Sequence, residues 1–176
     1  MRKHLVWMTA VILLAVPACQ DQDTLDELQA FKDQAALEES NKAVAERWHH
    51  DLALARNWEV VEEFVAPDMI VYNPDGSIMV QGIEAIRGFD EMYKSLENAE
   101  IQNHRVIAEG DWVMILWDMG FDHNQELFGM PGTGNRVSGV YGIDLFLIKD
   151  GKIKELWQYW DQAGMMNQMK PGEPEG

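Results

Sequence analysis

An Asp-Gly pair at positions 150 and 151, set between two runs rich in β-forming residues, constrains this chain more than any other feature. A two-residue hairpin turn needs positive φ, which Gly supplies without strain. Asp150 and Gly151 are therefore predicted to form a tight turn between antiparallel strands. Counting back from Lys149 opposite Lys152 puts Asp144 opposite Trp157. Side chains alternate along a strand, so one face is expected to carry Val140, Gly142, Asp144, Phe146, Glu155, Trp157, Tyr159 and Asp161.

Asp144 sits in mid-strand, between Tyr141-Gly-Ile143 and Leu145-Phe-Leu-Ile148. Asp is depleted in strands, and a buried carboxylate is costly unless a donor or a counter-charge meets it. Pattern alone leaves Asp144 facing either the core or water, because strand parity depends on the register at the turn. The other face carries Tyr141, Ile143, Leu145 and Leu147, so both faces are apolar. A sheet covered on both sides with an acid on the inner face implies a lined pocket. Upstream, Val113, Ile115, Trp117, Met119, Phe121 and His123 share a face of the strand predicted over 112–122. The Gly/Pro-rich segment 124–136 that follows is long for a hairpin connection, a length that often carries a lid or binding surface.

The chain has 176 residues, enough for one domain with a sizeable core. Met1-Arg-Lys-His4 is basic, and Leu5 to Val16 is apolar but too short to span a bilayer. Val16-Pro-Ala-Cys19 follows, and Cys19 is the single cysteine. A lone thiol at a cleavage site forms no internal disulfide, so residues 1–18 are expected to be a lipoprotein-type signal peptide with Cys19 lipidated. The alternative is an ordinary signal peptide with an incidental Cys. Removing residues 1–18 takes away two bases and no acids, leaving 12 bases against 30 acids and a net charge of −18 instead of −16. That balance has the wrong sign for nucleic acid or an anionic membrane surface, so membrane contact is expected only through the lipid. The implied location is the bacterial cell envelope, on its extracytoplasmic side.

Residues 19–40 are expected to be an acidic tether grading into helix, and 171–176 a tail. Between them, at 41–170, lies the domain. Val44, Trp48, Leu52 and Leu54 approximate a helical period. His49 and His50 are adjacent on that helix and point in different directions, which argues against a two-histidine metal site. A second helical stretch, 83–96, carries the stripe Ile86, Phe89, Met92, Tyr93 and Leu96. There is no P-loop, HExxH, GxGxxG or Gly-x-Ser-x-Gly. Without those parts, and with no cofactor or metal expected, cofactor-free acid/base chemistry or plain ligand binding remains.

The pattern from Gly139 to Asp161, G-x-x-G-x-D-x-F-x-x-x-D-G-K-I-x-E-x-W-x-x-x-D in outline, resembles the C-terminal half of the SnoaL-like polyketide cyclase family, also called ester cyclases. The loop Phe128-Gly-Met-Pro-Gly-Thr-Gly134, His123 before it, and Gln81-Gly-Ile-Glu-Ala-Ile86 are similar to that family too. The resemblance covers roughly 42–169. It implies an α+β, NTF2-like cone, with a curved mixed or antiparallel sheet wrapped around an N-terminal helix layer. It also implies a base at Asp144, a carbonyl-polarising donor at His123, and an intramolecular aldol condensation on a small apolar, carbonyl-containing ligand. The expected pocket is Trp117, Phe121, Phe146, Trp157, Tyr159 and Asp161. An Asp base in an apolar site, as in ketosteroid isomerase, serves an isomerase or hydrolase equally well. The competing reading is a non-catalytic envelope lipoprotein that binds an apolar ligand or mediates dimerisation, and a homodimer is expected through the second apolar face.

Overall fold

The computed structural model describes residues 22–172; the leader and the Cys19 site lie outside the described residues. Helix α1 runs Gln22–Arg47 and passes directly into a π-helical segment, Trp48–Leu54. A 3-10 turn at Trp58–Val60 and the short helix α2, Val61–Phe64, lead into the strands β1, Val65–Tyr72, and β2, Ile78–Gln81. The stretch 83–96 is two helices, α3 (Ile83–Arg87) and α4 (Phe89–Lys94), divided at Gly88. The long strands β3 (Glu97–Glu109), β4 (Trp112–His123), β5 (Asn135–Lys149) and β6 (Lys152–Trp160) follow, and α5, Gln162–Met169, closes the domain.

The six strands form one mixed sheet in the order β2-β1-β6-β5-β4-β3, in which only β1 and β6 run parallel. Its inner face is covered by the second half of α1, the π segment and α4. This is the expected α+β, NTF2-like arrangement. The first turns of α1 project from the sheet and are exposed through residue 37. They are laced by i,i+4 pairs, Gln22 to Asp26, Gln29 to Asp33 and Gln34 to Glu38, the spacing at which helix side chains meet. The helix meets the sheet at the β3–β4 turn. There Asn41 Nδ2 donates to the Gly110 carbonyl at 2.9 Å and Gly110 N–H donates to Glu38 Oε1 at 3.0 Å.

The Asp-Gly turn forms as predicted: Lys149 pairs with Lys152, and Asp150 and Gly151 have φ of 54° and 70°. The register beyond it does not hold. Ile148 pairs with Ile153 but Leu147 pairs with Glu155, so β6 carries one extra residue, Lys154, in a bulge. Asp144 consequently pairs with Gln158 instead of Trp157. Because the strand period is two, one added residue exchanges the faces of everything beyond it. Leu156, Gln158 and Trp160 turn to the inner face. Trp157 and Tyr159 go to the outer one, where Trp157 stacks on Tyr72 with ring centroids 4.3 Å apart and Tyr159 is exposed.

The main core is built where the helices meet the sheet. Trp48 makes edge contacts with Phe89 and Phe146, and Ile115, Ile148, Ile153 and Leu156 are fully buried around them. A smaller apolar cluster of Phe121, Leu127, Val137, Val140, Met165 and Met169 lies under α5, at the other end of β4 and β5.

Candidate active site

Between the helices and the sheet lies a partly open cavity of about 150 Å³. Trp117 and Met119 of β4, Asp144 of β5, and Gln158 and Trp160 of β6 form its sheet side. Trp48, His49, Phe89, Met92 and Tyr93 cover it from the helices, and Phe128 and Met165 come from the long loop and α5. The helical stripe Phe89, Met92 and Leu96 thus lines an empty space as well as a core.

Asp144 has no exposed surface. Its pairing with Ile115 on one side and Gln158 on the other puts it in the middle of the sheet. His49 Nε2 lies 2.9 Å from Asp144 Oδ2, and Gln158 Nε2 approaches both carboxylate oxygens at 3.3 and 3.4 Å. The other ring nitrogen, His49 Nδ1, lies 2.7 Å from Asn103 Oδ1 on β3. A carboxylate and an amide oxygen both accept, so beside an ionised Asp144 the ring donates at both nitrogens and is an imidazolium. Burial opposes charge on His49, but the hydrogen bond and charge of Asp144, with Asn103 and Glu46 adding to them, outweigh it and raise the histidine's pKa. Burial, and then the charge on Asp144, push the Tyr93 phenol far above its usual range, so it stays protonated.

His49 reaches this position because the helix is irregular there. A helix of ordinary period turns Asn41, Ala45, Trp48 and Leu52 to the sheet. Over the π segment the buried set widens to Trp48, His49, Leu52 and Ala53. Single-turn π geometry is common at functional sites. The adjacent His50 points away and is mostly exposed, as expected for neighbours on a helix.

Trp117 stands beside the pair, its indole edge-on to His49 at 5.8 Å. It pairs across the sheet with Gly142, whose absent side chain makes room for the ring: a Cβ there would come within 2.2 Å of Trp117 Cζ2.

Of the residues singled out in the sequence, Asp144 and Trp117 line this cavity. His123 is fully buried on the inner face of β4, but eight residues along the strand from Ile115, Asp144's neighbour. At ~3.3 Å per residue that is on the order of 25 Å. Its Nδ1 meets Thr133 Oγ1 at 3.1 Å, while its Nε2 is buried with no partner. Phe121 belongs to the apolar cluster under α5, which adjoins the cavity through Met119, Trp160 and Met165, and Phe146 is core packed on Trp48. Trp157 and Tyr159 are turned away by the bulge at Lys154. Asp161 caps α5, accepting from Gly164 N–H at 2.8 Å. Of the residues that the sequence reading did not assign to the pocket, His49, Gln158 and Trp160 line the cavity, and Asn103 stands behind His49. The signal for His49 was the buried acid itself, which demands a donor, and a histidine next to a core Trp is the nearest candidate. Among the described residues no group of three or more His, Cys, Asp or Glu is placed to hold a metal ion.

A family profile described as SnoaL-like polyketide cyclase matches residues 43–169. The chain is 31% identical over 117 residues to the aklanonic acid methyl ester cyclase DauD of Streptomyces sp. (strain C5), which spans 65% of this chain and 68% of that one. It is 32% identical over 114 residues to the aklanonic acid methyl ester cyclase DnrD of Streptomyces peucetius, covering 64% and 74%. Among solved structures, a SnoaL-like protein from Jannaschia sp. CCS1 superposes with a TM-score of 0.69 at 21% identity, over 78% of this chain and 96% of the other.

Proposed function

Because the chain belongs to the SnoaL-like polyketide cyclase family, we propose that it is a cofactor-free acid/base enzyme that closes a ring by intramolecular aldol condensation. Family membership supports a cyclase-type function. The residue roles are our reading, and the observation that carries them is a fully buried Asp144 held by His49 on the wall of an apolar cavity.

In this mechanism the Asp144 carboxylate removes a proton from a carbon flanked by carbonyl groups, and the electron pair of the broken C–H bond passes into an enolate. The enolate carbon adds to a second carbonyl of the same molecule, forming a C–C bond and an alkoxide. Asp144, now a carboxylic acid, returns its proton to the alkoxide, so no co-reactant is consumed. His49 holds the carboxylate in place and supports its charge. Aromatic and methionine side chains keep water from the enolate. The test is Asp144→Asn assayed with aklanonic acid methyl ester, the compound in the relatives' names. Turnover is expected to fall by about 10²–10⁴, the usual worth of a positioned acid or base. Unchanged turnover sinks the assignment.

One observation favours a second reading, a carrier of a smaller apolar molecule. The cavity of about 150 Å³ falls short of the roughly 300–1,000 Å³ typical of sites for drug-sized ligands. Tight binding of a bicyclic ketone with no turnover of the methyl ester would favour it. Two further elements belong to the proposal. Lipid attachment at Cys19 predicts labelling by palmitate. Pairing of two copies through the outer sheet face, where Tyr141, Ile143 and Tyr159 are exposed, predicts a dimer in sedimentation.

A further inference from the structure

The ring of His49 forms part of the wall between two spaces. On one side is the cavity with Asp144. On the other is an open groove of about 440 Å³ bordered by Glu46, Arg47, His50, Asp51 and Asn103. His49 and Ile101 border both spaces, and of the two only His49 titrates. Its nitrogens face opposite ways, Nε2 to Asp144 and Nδ1 to Asn103. Asp144 itself has no exposed surface, so a ligand that fills the cavity cuts its carboxyl off from water on that side.

We propose that the outer groove is the proton entrance of the buried site, with His49 as its gate and Asn103 as the positioning residue that fixes the ring. The inference rests on the reading of Asp144 as the base for what the proton is used for. From the neutral ring protonated at Nε2, a hydronium ion in the groove gives a proton to Nδ1, which forms the imidazolium that pairs with ionised Asp144, and Nε2 then hands its own proton to Asp144. The reverse sequence carries a proton out. One proton crosses, the ring changes tautomer, and no other reactant is needed. Asn103 Oδ1 accepts from the Nδ1–H and holds the ring in the plane that reaches both sides. The charged groups around the gate are Asp144 from β5 and Glu46, Arg47, His50 and Asp51 from α1 and the π segment. Arg47 and Asp51 are paired to each other at 2.7 Å, and His50 is paired to Asp51. Glu46 therefore remains as the acid that adds to the proton affinity of His49.

The test uses the full chain labelled with ¹⁵N-histidine, read by NMR without turnover. Asn103→Leu is expected to make His49 titrate at lower pH than wild type, and Asn103→Asp at higher pH. A merely structural role for Asn103 would not give shifts of opposite sign. Filling the cavity with tetralin is expected to leave exchange of the His49 ring N–H with water unchanged in the wild type. Collapse of that exchange in the presence of tetralin overturns the groove route, and wild-type titration in Asn103→Leu overturns the role of Asn103. Failure of tetralin to bind overturns the apolar-ligand reading of the cavity instead, and the Asn103 pair of variants then decides the inference alone. Loss of turnover in Asp144→Asn is read separately, so the base assignment and the gate succeed or fail independently.

Discussion

His49 Nε2 and Asp144 Oδ2, 95 residues apart in sequence, lie 2.9 Å apart with both side chains buried. Removing one member of such a pair leaves the other charge without compensation, at a typical cost of about 3–5 kcal/mol. His49→Leu is therefore expected to destabilise the protein by about that amount. The double variant His49→Leu with Asp144→Leu is expected to be far more stable than the sum of the single changes, because no charge is then stranded. Denaturant titration of the three variants checks this coupling, and strict additivity would refute it.

The same pair sets a pH dependence. His49 has a folded pKa raised above the unfolded value of roughly 6.5, so the folded protein holds the proton more tightly. Its contribution to stability is complete below the unfolded pKa and is lost as pH rises through the folded pKa. Stability is thus expected to fall across that window in the wild type, and a stability–pH curve for His49→Gln should lack this component of the fall.

Gly142 gives way to the Trp117 ring, and a methyl group there would overlap it, with a Cβ 2.2 Å from Cζ2. Gly142→Ala is expected to cost about 1–3 kcal/mol, the range for overpacking, and to push the indole into the cavity. A lowered melting temperature together with weaker tetralin binding is the expected result.

The bulge at Lys154 makes a directional prediction about two neighbouring tryptophans. Trp160 lines the cavity and Trp157 stacks on Tyr72 outside it. Trp160→Ala is expected to weaken tetralin binding, while Trp157→Ala leaves binding as it was and lowers stability alone. Calorimetric titration separates the two, and the reverse order would mean that the strand faces are exchanged.

Much of the fold was legible because its signals are local. The Asp-Gly turn, the alternation along β4 and the run of β5 each follow from short-range backbone preferences, and the resemblance fixed the topology around them. The candidate site was half legible. Asp144 declared itself as an acid among aliphatic neighbours, and Trp117 followed from the parity of β4. Trp157 and Tyr159 were misplaced by one residue of bulge, which shifts register without leaving a mark in composition, and Asp161 falls past the end of β6, where it caps α5. His123 shares a face with Trp117 as its parity requires. Parity, however, says nothing of distance along a strand, and eight residues take it to the end of β4. His49 was weighed only as half of a metal site on a regular helix, and the wide turn that brings it inward has no simple sequence signature.

The π segment Trp48–Leu54 is in effect an α-helix with a residue to spare, and the acid–imidazole contact depends on that surplus. Shortening the segment by one amino acid would rewind it to ordinary pitch, swing the imidazole off Asp144, and leave the sheet and its carboxylate where they are. A lineage carrying this scaffold could thus lose or regain the acid–imidazole contact by a single in-frame codon loss or gain far in sequence from the acid.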